Sequence, residues 1–157
     1  MMKSLQKIGE VAEMLSTSIR TIRYYEEEGM LSPIRSGGGT RLYSSRHVDR
    51  LRAILRLTNA GYSIDVIKGL AKTRELYRNG DESQQAVSVQ LDILQADIDS
   101  RMQLLKQLDE QIAAAKGTVK KCAGCKNEPS SKGCPLCPVR RHLADIELLN
   151  LVWDQME

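Results

Sequence analysis

Phenylalanine is absent from this 157-residue chain, tryptophan occurs once, and aromatic residues make up only 4% of it. A single compact globule relies on more large rings to fill its centre, so an elongated, helix-rich shape is the better expectation. No apolar run approaches the roughly eighteen residues that a membrane-spanning helix needs. Met1 to Glu10 holds no apolar stretch of the kind that directs export, so the expected location is the cytoplasm. Cysteine is missing until Cys122, and all four cysteines fall between there and Cys137. Without an export signal a disulfide framework is not expected, which moves metal or redox chemistry up. Net charge is only +3, so any nucleic-acid argument rests on where the basic residues stand. No internal repeat is visible, and the length allows one modest core, or a small head with a long helical extension, rather than a large enzyme.

The basic residues are not spread evenly. Between Lys7 and Lys72 eleven of them stand against seven acidic ones. Within that segment Ile8, Val11, Ala12 and Leu15 recur at helical spacing until Ser16-Thr17-Ser18 interrupts them with cap-forming side chains. With Ser18 as N-cap, a second helix places Ile19 and Ile22 inward and Arg20, Arg23, Tyr24 and Glu27 along the opposite side, and Gly29 suits its stop. Tyr25 leans to the inner face, where core packing and a phosphate contact both stay open. Ile34 to Tyr43 is a glycine-rich turn between two short segments able to pair as a hairpin. Ser44 caps a helix carrying Val48, Leu51, Ile54 and Leu55, with His47 as surface or capping decoration. Gly61 and Ser63 mark a break before Ile64, Ile67, Leu70 and Ala71. The head therefore reads helix, helix, hairpin, helix, helix.

Asn79, Gly80 and Asp81 separate this head from a strongly periodic run. From there Leu91, Ile98, Leu105, Ile112 and Val119 recur every seven residues, interleaved with Leu94, Leu108 and Ala115, which is a coiled-coil seam with a gap at Arg101. A lone helix from about 83 to 116 would leave that stripe in water, and the chain has no second helix long enough to cover it, so a homodimer is expected. The parts are a head over residues 1–78, a dimerisation helix over 79–119, and a cysteine loop with a short terminal helix over 120–157. In the last part, Val139, Leu143, Ile146, Leu149 and Trp153 share one face after Pro138, with Trp153 in a core or lining a small pocket. Cys122, Cys125, Cys134 and Cys137 form two pairs that can converge four thiolates on one metal centre. Zinc accepts such a set readily, and His142 is a candidate further ligand that reads better as helix surface. Four thiolates close a coordination sphere and no acid/base apparatus accompanies them, which weighs against an enzyme.

The strings Lys7-Ile8-Gly9-Glu10-Val11-Ala12, Ile19-Arg20-Thr21-Ile22-Arg23-Tyr24-Tyr25-Glu26 through Gly29-Met30-Leu31, Arg41-Leu42-Tyr43-Ser44, Asp49-Arg50-Leu51 and Ala60-Gly61-Tyr62-Ser63-Ile64 resemble the MerR family of transcriptional regulators. The resemblance implies a mainly α fold: a winged helix-turn-helix head, a long antiparallel coiled-coil dimerisation helix and a short C-terminal helix. An exposed arginine on a short helix can fork onto a guanine edge or clamp a phosphate, and tyrosine hydroxyls fix backbone register. The expected contacts to double-stranded operator DNA are Ser18, Arg20, Thr21, Arg23 and Tyr24, with Arg41 and Tyr43 on the wing and Arg46 beyond it; Arg52 and Arg56 add weaker phosphate contacts. The expected dimer contacts are Leu91, Leu94, Ile98, Leu105, Leu108 and Ile112. Such dimers bind palindromic operators and bend promoter DNA so that RNA polymerase can engage it. The pieces Cys-x-Gly-Cys and Cys-Pro-Leu are similar to the loop that holds a [2Fe-2S] centre in the superoxide-responsive branch, but here the cysteines stand two and two rather than three and one. Zinc is therefore preferred, with a [2Fe-2S] cluster as the alternative. Metal-sensing branches also use a cysteine near the start of the long helix, and none stands between Asn79 and Val89. The function expected is DNA-binding regulation with a structural or sensory four-cysteine centre; the alternatives are a redox-sensing iron-sulfur regulator and a zinc-stabilised interaction adaptor.

Overall fold

A computed structural model of the chain describes residues 5–127, 139 and 145–152. Cys134, Cys137, His142 and Trp153 lie outside the described residues. Five α-helices are described: α1 Ile8–Met14, α2 Ile19–Glu27, α3 Ser45–Asn59, α4 Ile64–Lys72 and α5 Gly80–Val119. A small antiparallel sheet joins β1 Gln6–Lys7, β2 Ile34–Arg35 and β3 Arg41–Tyr43 in the order β1-β3-β2. The expected hairpin is β2 with β3, registered Ile34 to Leu42 and Arg35 to Arg41. The first strand is an addition that the sequence did not announce. Gln6 and Lys7 pair with Tyr43 and Leu42 without any apolar alternation of their own, and Lys7 doubles as the N-cap of α1.

Two compact units divide the chain at Asp92 and Ile93. In the first, Val11, Ala12, Ile22, Tyr25, Met30, Leu31, Tyr43, Val48, Leu51, Ile54, Tyr62 and Ile67 are buried, so α1 to α4 and the sheet share one core. The short helices are defined at both ends. Ser18, Ser44 and Ser63 each accept a backbone N–H from the third residue of the helix that follows; such a cap contributes about 1 kcal/mol. α2 ends in a Schellman motif, with Met30 N–H donating to Tyr25 O and Gly29 N–H to Glu26 O. Gly29 sits there at φ +69°, a backbone state that only glycine adopts cheaply. α3 closes the same way at Gly61, through Tyr62 N–H to Leu57 O and Gly61 N–H to Thr58 O. At the end of α1 the same pattern falls on Ser16, through Thr17 N–H to Ala12 O and Ser16 N–H to Glu13 O. Ser16 is the one described non-glycine residue at positive φ, +50°.

Arg50 stitches the head across three elements. Its Nε donates to Met30 O at 2.6 Å and its Nη2 to Ala71 O at 3.0 Å, so one guanidinium on α3 ties the exit of α2 to the end of α4. After α4 a 3-10 turn covers Thr73–Leu76, and Asn79 then caps α5, its Oδ1 accepting Glu82 N–H at 2.9 Å. α5 runs unbroken over 40 residues, longer than the periodicity alone required. Its opening turns belong to the head's compact unit: Ser83 is buried, and buried Thr73 donates to Gly69 O and meets Gln90 Oε1 at 2.6 Å.

In the second unit α5 continues to Val119, a 3-10 turn follows at Lys120–Cys122, and Val139, Ile146 and Leu149 are buried. The expected terminal helix is described only as the 3-10 turn Glu147–Leu151; the rest of the expected span lies outside the described residues. Among the described residues no helix is long and apolar enough to cross a membrane.

The left-handed serine gives a stability prediction. Ser16→Gly removes the Cβ clash at φ +50° and is expected to raise unfolding free energy in urea by up to about 1 kcal/mol; a fall would show that this turn carries no strain.

Candidate nucleic-acid interface

The geometry of α2 follows from its first turn. Ser18 Oγ accepts Thr21 N–H at 3.0 Å and lies 2.8 Å from Thr21 Oγ1, so these two hydroxyls fix where the helix starts. One face is then pinned inward by Ile22 and Tyr25, both buried. The Tyr25 hydroxyl lies 3.4 Å from Thr58 Oγ1, which resolves its open reading in favour of packing. Ile19 departs from expectation: as the first helical residue it precedes the packed face and is 40% exposed. The opposite face carries Arg20, Arg23 and Tyr24, all exposed. Neither arginine is ion-paired with a described residue, so both guanidinium groups are available to an outside acceptor.

The wing is joined to this helix by one carboxylate. Glu26 Oε2 accepts Arg41 Nε at 2.8 Å, and Glu26 Oε1 accepts the Tyr43 hydroxyl. Burial, followed by the bond to Glu26 and its charge, pushes the Tyr43 phenol well above the ordinary range, so it stays a proton donor at any physiological pH. Here the sequence reading needs correction. Tyr43 is fully buried with its hydroxyl committed to Glu26, so its side chain cannot reach a DNA backbone. Arg41 is different. Glu26 takes only its Nε, its side chain stays 35% exposed, and its Nη groups form no hydrogen bond to a described residue. Arg46, in the first turn of α3, is exposed and without an ion pair among the described residues. Arg52 is held by Asp49 at 2.6 Å, a surface pair of small energetic weight, while Arg56 is exposed near the end of α3.

Sequence reasoning missed two residues. Glu26 stood at the end of the Arg-Tyr-Tyr-Glu run without a role, although an acidic residue one turn after Arg23 invites the question of what it balances. Arg50 was counted as one more base, and nothing local betrays its two distant carbonyl partners.

Along α5, Leu91, Leu105, Leu108 and Ile112 are exposed and Leu94 and Ile98 half-buried, with Met102 and Leu104 widening the apolar stripe. Leu105 remains 64% exposed. Arg101, the gap in the seam, bonds Asp97 at 2.8 Å one turn back on the same helix.

Beyond α5 the first cysteine pair occupies a defined turn. Cys125 N–H donates to Cys122 O at 3.0 Å; Ala123 lies at φ −59°, ψ 125° and Gly124 at φ +77°. Those angles make a type II β-turn, which brings its first and fourth residues within about 7 Å. Neither cysteine is in a disulfide, and Cys125 is exposed. The turn fits a two-thiolate chelate, while the other expected ligands, Cys134 and Cys137, lie outside the described residues.

Residues 7–73 match the family described as MerR HTH family regulatory protein. The chain is 30% identical to the HTH-type transcriptional regulator HmrR of Rhizobium leguminosarum bv. viciae over 138 residues, 88% of this chain and 97% of that one. It is also 30% identical to the HTH-type transcriptional regulator ZntR of Escherichia coli (strain K12), over 77% of this chain and 88% of that one. Among solved structures the fold is similar to that of HiNmlR, a MerR family regulator lacking the sensor domain, bound to promoter DNA. The TM-score is 0.66 at 20% identity, covering 78% of this chain and 95% of that one, a likeness of fold.

His47, which adjoins this surface, gives a pH prediction. Its Nδ1 accepts Ser44 N–H at 3.1 Å, closing the N-terminus of α3, so the ring must be unprotonated there. Burial, then the charge of Arg50, holds it below the ordinary histidine value. The unfolded chain therefore takes up this proton first, so the contribution is full above about pH 6.5 and is lost as pH falls below it. His47→Gln keeps an acceptor in the cap and is expected to flatten the stability profile between about pH 7 and pH 5; an unchanged profile would refute the assignment.

Proposed function

Since the chain belongs to the MerR family of helix-turn-helix transcriptional regulators, we propose that it acts in the cytoplasm as a homodimer that binds a palindromic operator in double-stranded DNA. In this reading the dimer deforms the promoter for RNA polymerase. The observation that carries it is the exposed Arg20, Arg23 and Tyr24 face of α2, whose two arginines have no ion pair among the described residues, with the Arg41 wing anchored beside it through Glu26. Arg20, Thr21, Arg23 and Tyr24 read base edges and phosphates in the major groove, Ser18 steadies the first turn at the backbone, and Arg41 and Arg46 grip flanking phosphates.

The dimer reading rests on the stripe of Leu91, Leu94, Ile98, Leu105, Leu108 and Ile112. Charge along α5 supports an antiparallel pairing of two copies. From residue 80 to 100 there are five acidic residues and no basic one, whereas from 101 to 121 five basic residues stand against two acidic. Antiparallel copies set the acidic half of one beside the basic half of the other, and parallel copies set like against like. Two-fold symmetry in the protein then matches two-fold symmetry in the operator.

We further assign one metal centre per chain to Cys122, Cys125, Cys134 and Cys137, with zinc ahead of a [2Fe-2S] cluster. The support is the type II turn that presents Cys122 and Cys125 together, and the repeat of the same spacing at Cys134 and Cys137. When bound, zinc would supply a redox-inert crosslink and an iron-sulfur cluster an electron-accepting centre.

Two measurements test these readings. A duplex selected by the protein from a random-sequence pool should lose affinity steeply with salt, and Arg23→Ala should weaken specific binding by about 1–3 kcal/mol; failure to select any duplex, or an Arg23→Ala variant of wild-type affinity, overturns the interface. Anaerobically purified protein is expected to carry one zinc per chain and no visible absorption. Coloured, iron-containing material would favour the redox reading, and metal-free protein would remove the centre.

A further inference from the structure

Glu26 is an acidic residue inside a surface that must face polyanionic DNA, and it is not in solution: its side chain is only 10% exposed. A carboxylate there repels phosphate, so its presence needs a compensating gain. Both of its oxygens are in use. One takes the Nε of Arg41 and the other the hydroxyl of Tyr43, two residues apart on β3 and both pointing to the same carboxylate on α2. Arg23, one turn before Glu26 on α2, and Arg41 both act electrostatically on the Tyr43 phenol, and of the two it is Arg41 that is bonded to the carboxylate.

A guanidinium has one edge bearing Nε and a second edge formed by its two Nη groups. Binding the Nε edge fixes the plane of the fork and leaves the Nη pair for a second, bidentate acceptor. A free arginine on a three-residue strand beside a glycine-rich loop would surrender several rotamers on meeting a phosphate. One already gripped by Glu26 surrenders few.

We propose that Glu26 is a positioning residue for operator recognition: it holds Arg41 in a fixed orientation, with Tyr43 as the second tie, so that the wing's phosphate grip is in register with the α2 face. This rests on the DNA-binding reading of the same surface. Glu26 opposes DNA by charge and favours it by geometry, so it trades general affinity for specificity.

The test uses the full-length chain and the duplex that wild-type protein selects from a random pool, with an unrelated duplex of equal length as the non-specific reference. Glu26→Gln removes the negative charge and leaves one acceptor oxygen where the carboxylate has two, so Arg41 Nε and the Tyr43 hydroxyl can no longer each donate to an oxygen of its own, and the ion pair to Arg41 is lost. It is expected to lose about tenfold in affinity for the selected duplex while affinity for the unrelated duplex holds or rises. Arg41→Lys, exposed enough to leave the fold intact, keeps the charge and loses the fork, and should lose selectivity to a similar degree. In an Arg41→Ala background, Glu26→Gln should change selected-duplex affinity less than twofold. Equal losses on both duplexes with a lowered melting temperature, additive losses in the double variant, or a Glu26→Gln variant of wild-type selectivity would overturn the proposal. If wild-type protein selects no duplex, the DNA-binding reading fails first and this inference with it; if it selects one and Glu26→Gln is silent, only this inference fails.

Discussion

Helices of seven or nine residues do not persist alone in water, because each must offset a costly nucleus with too few hydrogen bonds. α1, α2 and α4 are of that length. Everything the head does depends on a shared core and on chain reversals that stop each helix at a fixed residue. The buried set from Val11 to Ile67 supplies the first, and left-handed residues at Ser16, Gly29 and Gly61 supply the second. The exposed face of α2 is thus set by what lies behind and beyond it: once Ile22 and Tyr25 are inside and the helix is stopped at Gly29, Arg20, Arg23 and Tyr24 have only one direction left.

Arginine in this head does three different jobs. Arg50 spends its hydrogen bonds on the carbonyls of Met30 and Ala71 and behaves as part of the frame. Arg52 is neutralised locally by Asp49. Arg20, Arg23 and Arg46 carry charge without a partner among the described residues, and Arg41 divides itself between a carboxylate and the outside. Net charge hides this division. A modest excess of base conceals several guanidinium groups that have no ion pair among the described residues.

The periodic elements were legible because burial repeats with the backbone: the inward residues of α3, the break at Gly61 and the stripe on α5 all follow from spacing. Two of the caps were legible too, since Ser18 and Ser44 stand just before apolar periodicity, whereas Ser63 read only as a break and the structure shows it to be a cap. What escaped were pairings at long sequence separation. β1 is too short to show a pattern, and Ile19 misled because the first helical residue is not yet committed to a face. Tyr43 looked like a wing contact until Glu26, seventeen positions earlier, was seen to occupy its hydroxyl. Arg50 could not be read at all from its neighbours, because both of its acceptors are backbone atoms some twenty residues away.

The loop between β2 and β3 is closed from within, by Ser36 N–H to Thr40 O, Gly39 N–H to Ser36 O and Thr40 N–H to Ser36 Oγ. A Cβ added at Gly37, Gly38 or Gly39 would meet nothing within 4 Å, although Gly39, at φ +79°, holds a backbone state that favours glycine. The tip therefore carries none of the packing that fixes α2, and the fastening at Glu26 lies at the base of the wing, well short of it. On the DNA-binding reading proposed above, lengthening or decorating that loop would alter the reach of the wing without disturbing the packing behind α2, so reach and base reading could drift apart as such a chain diversifies.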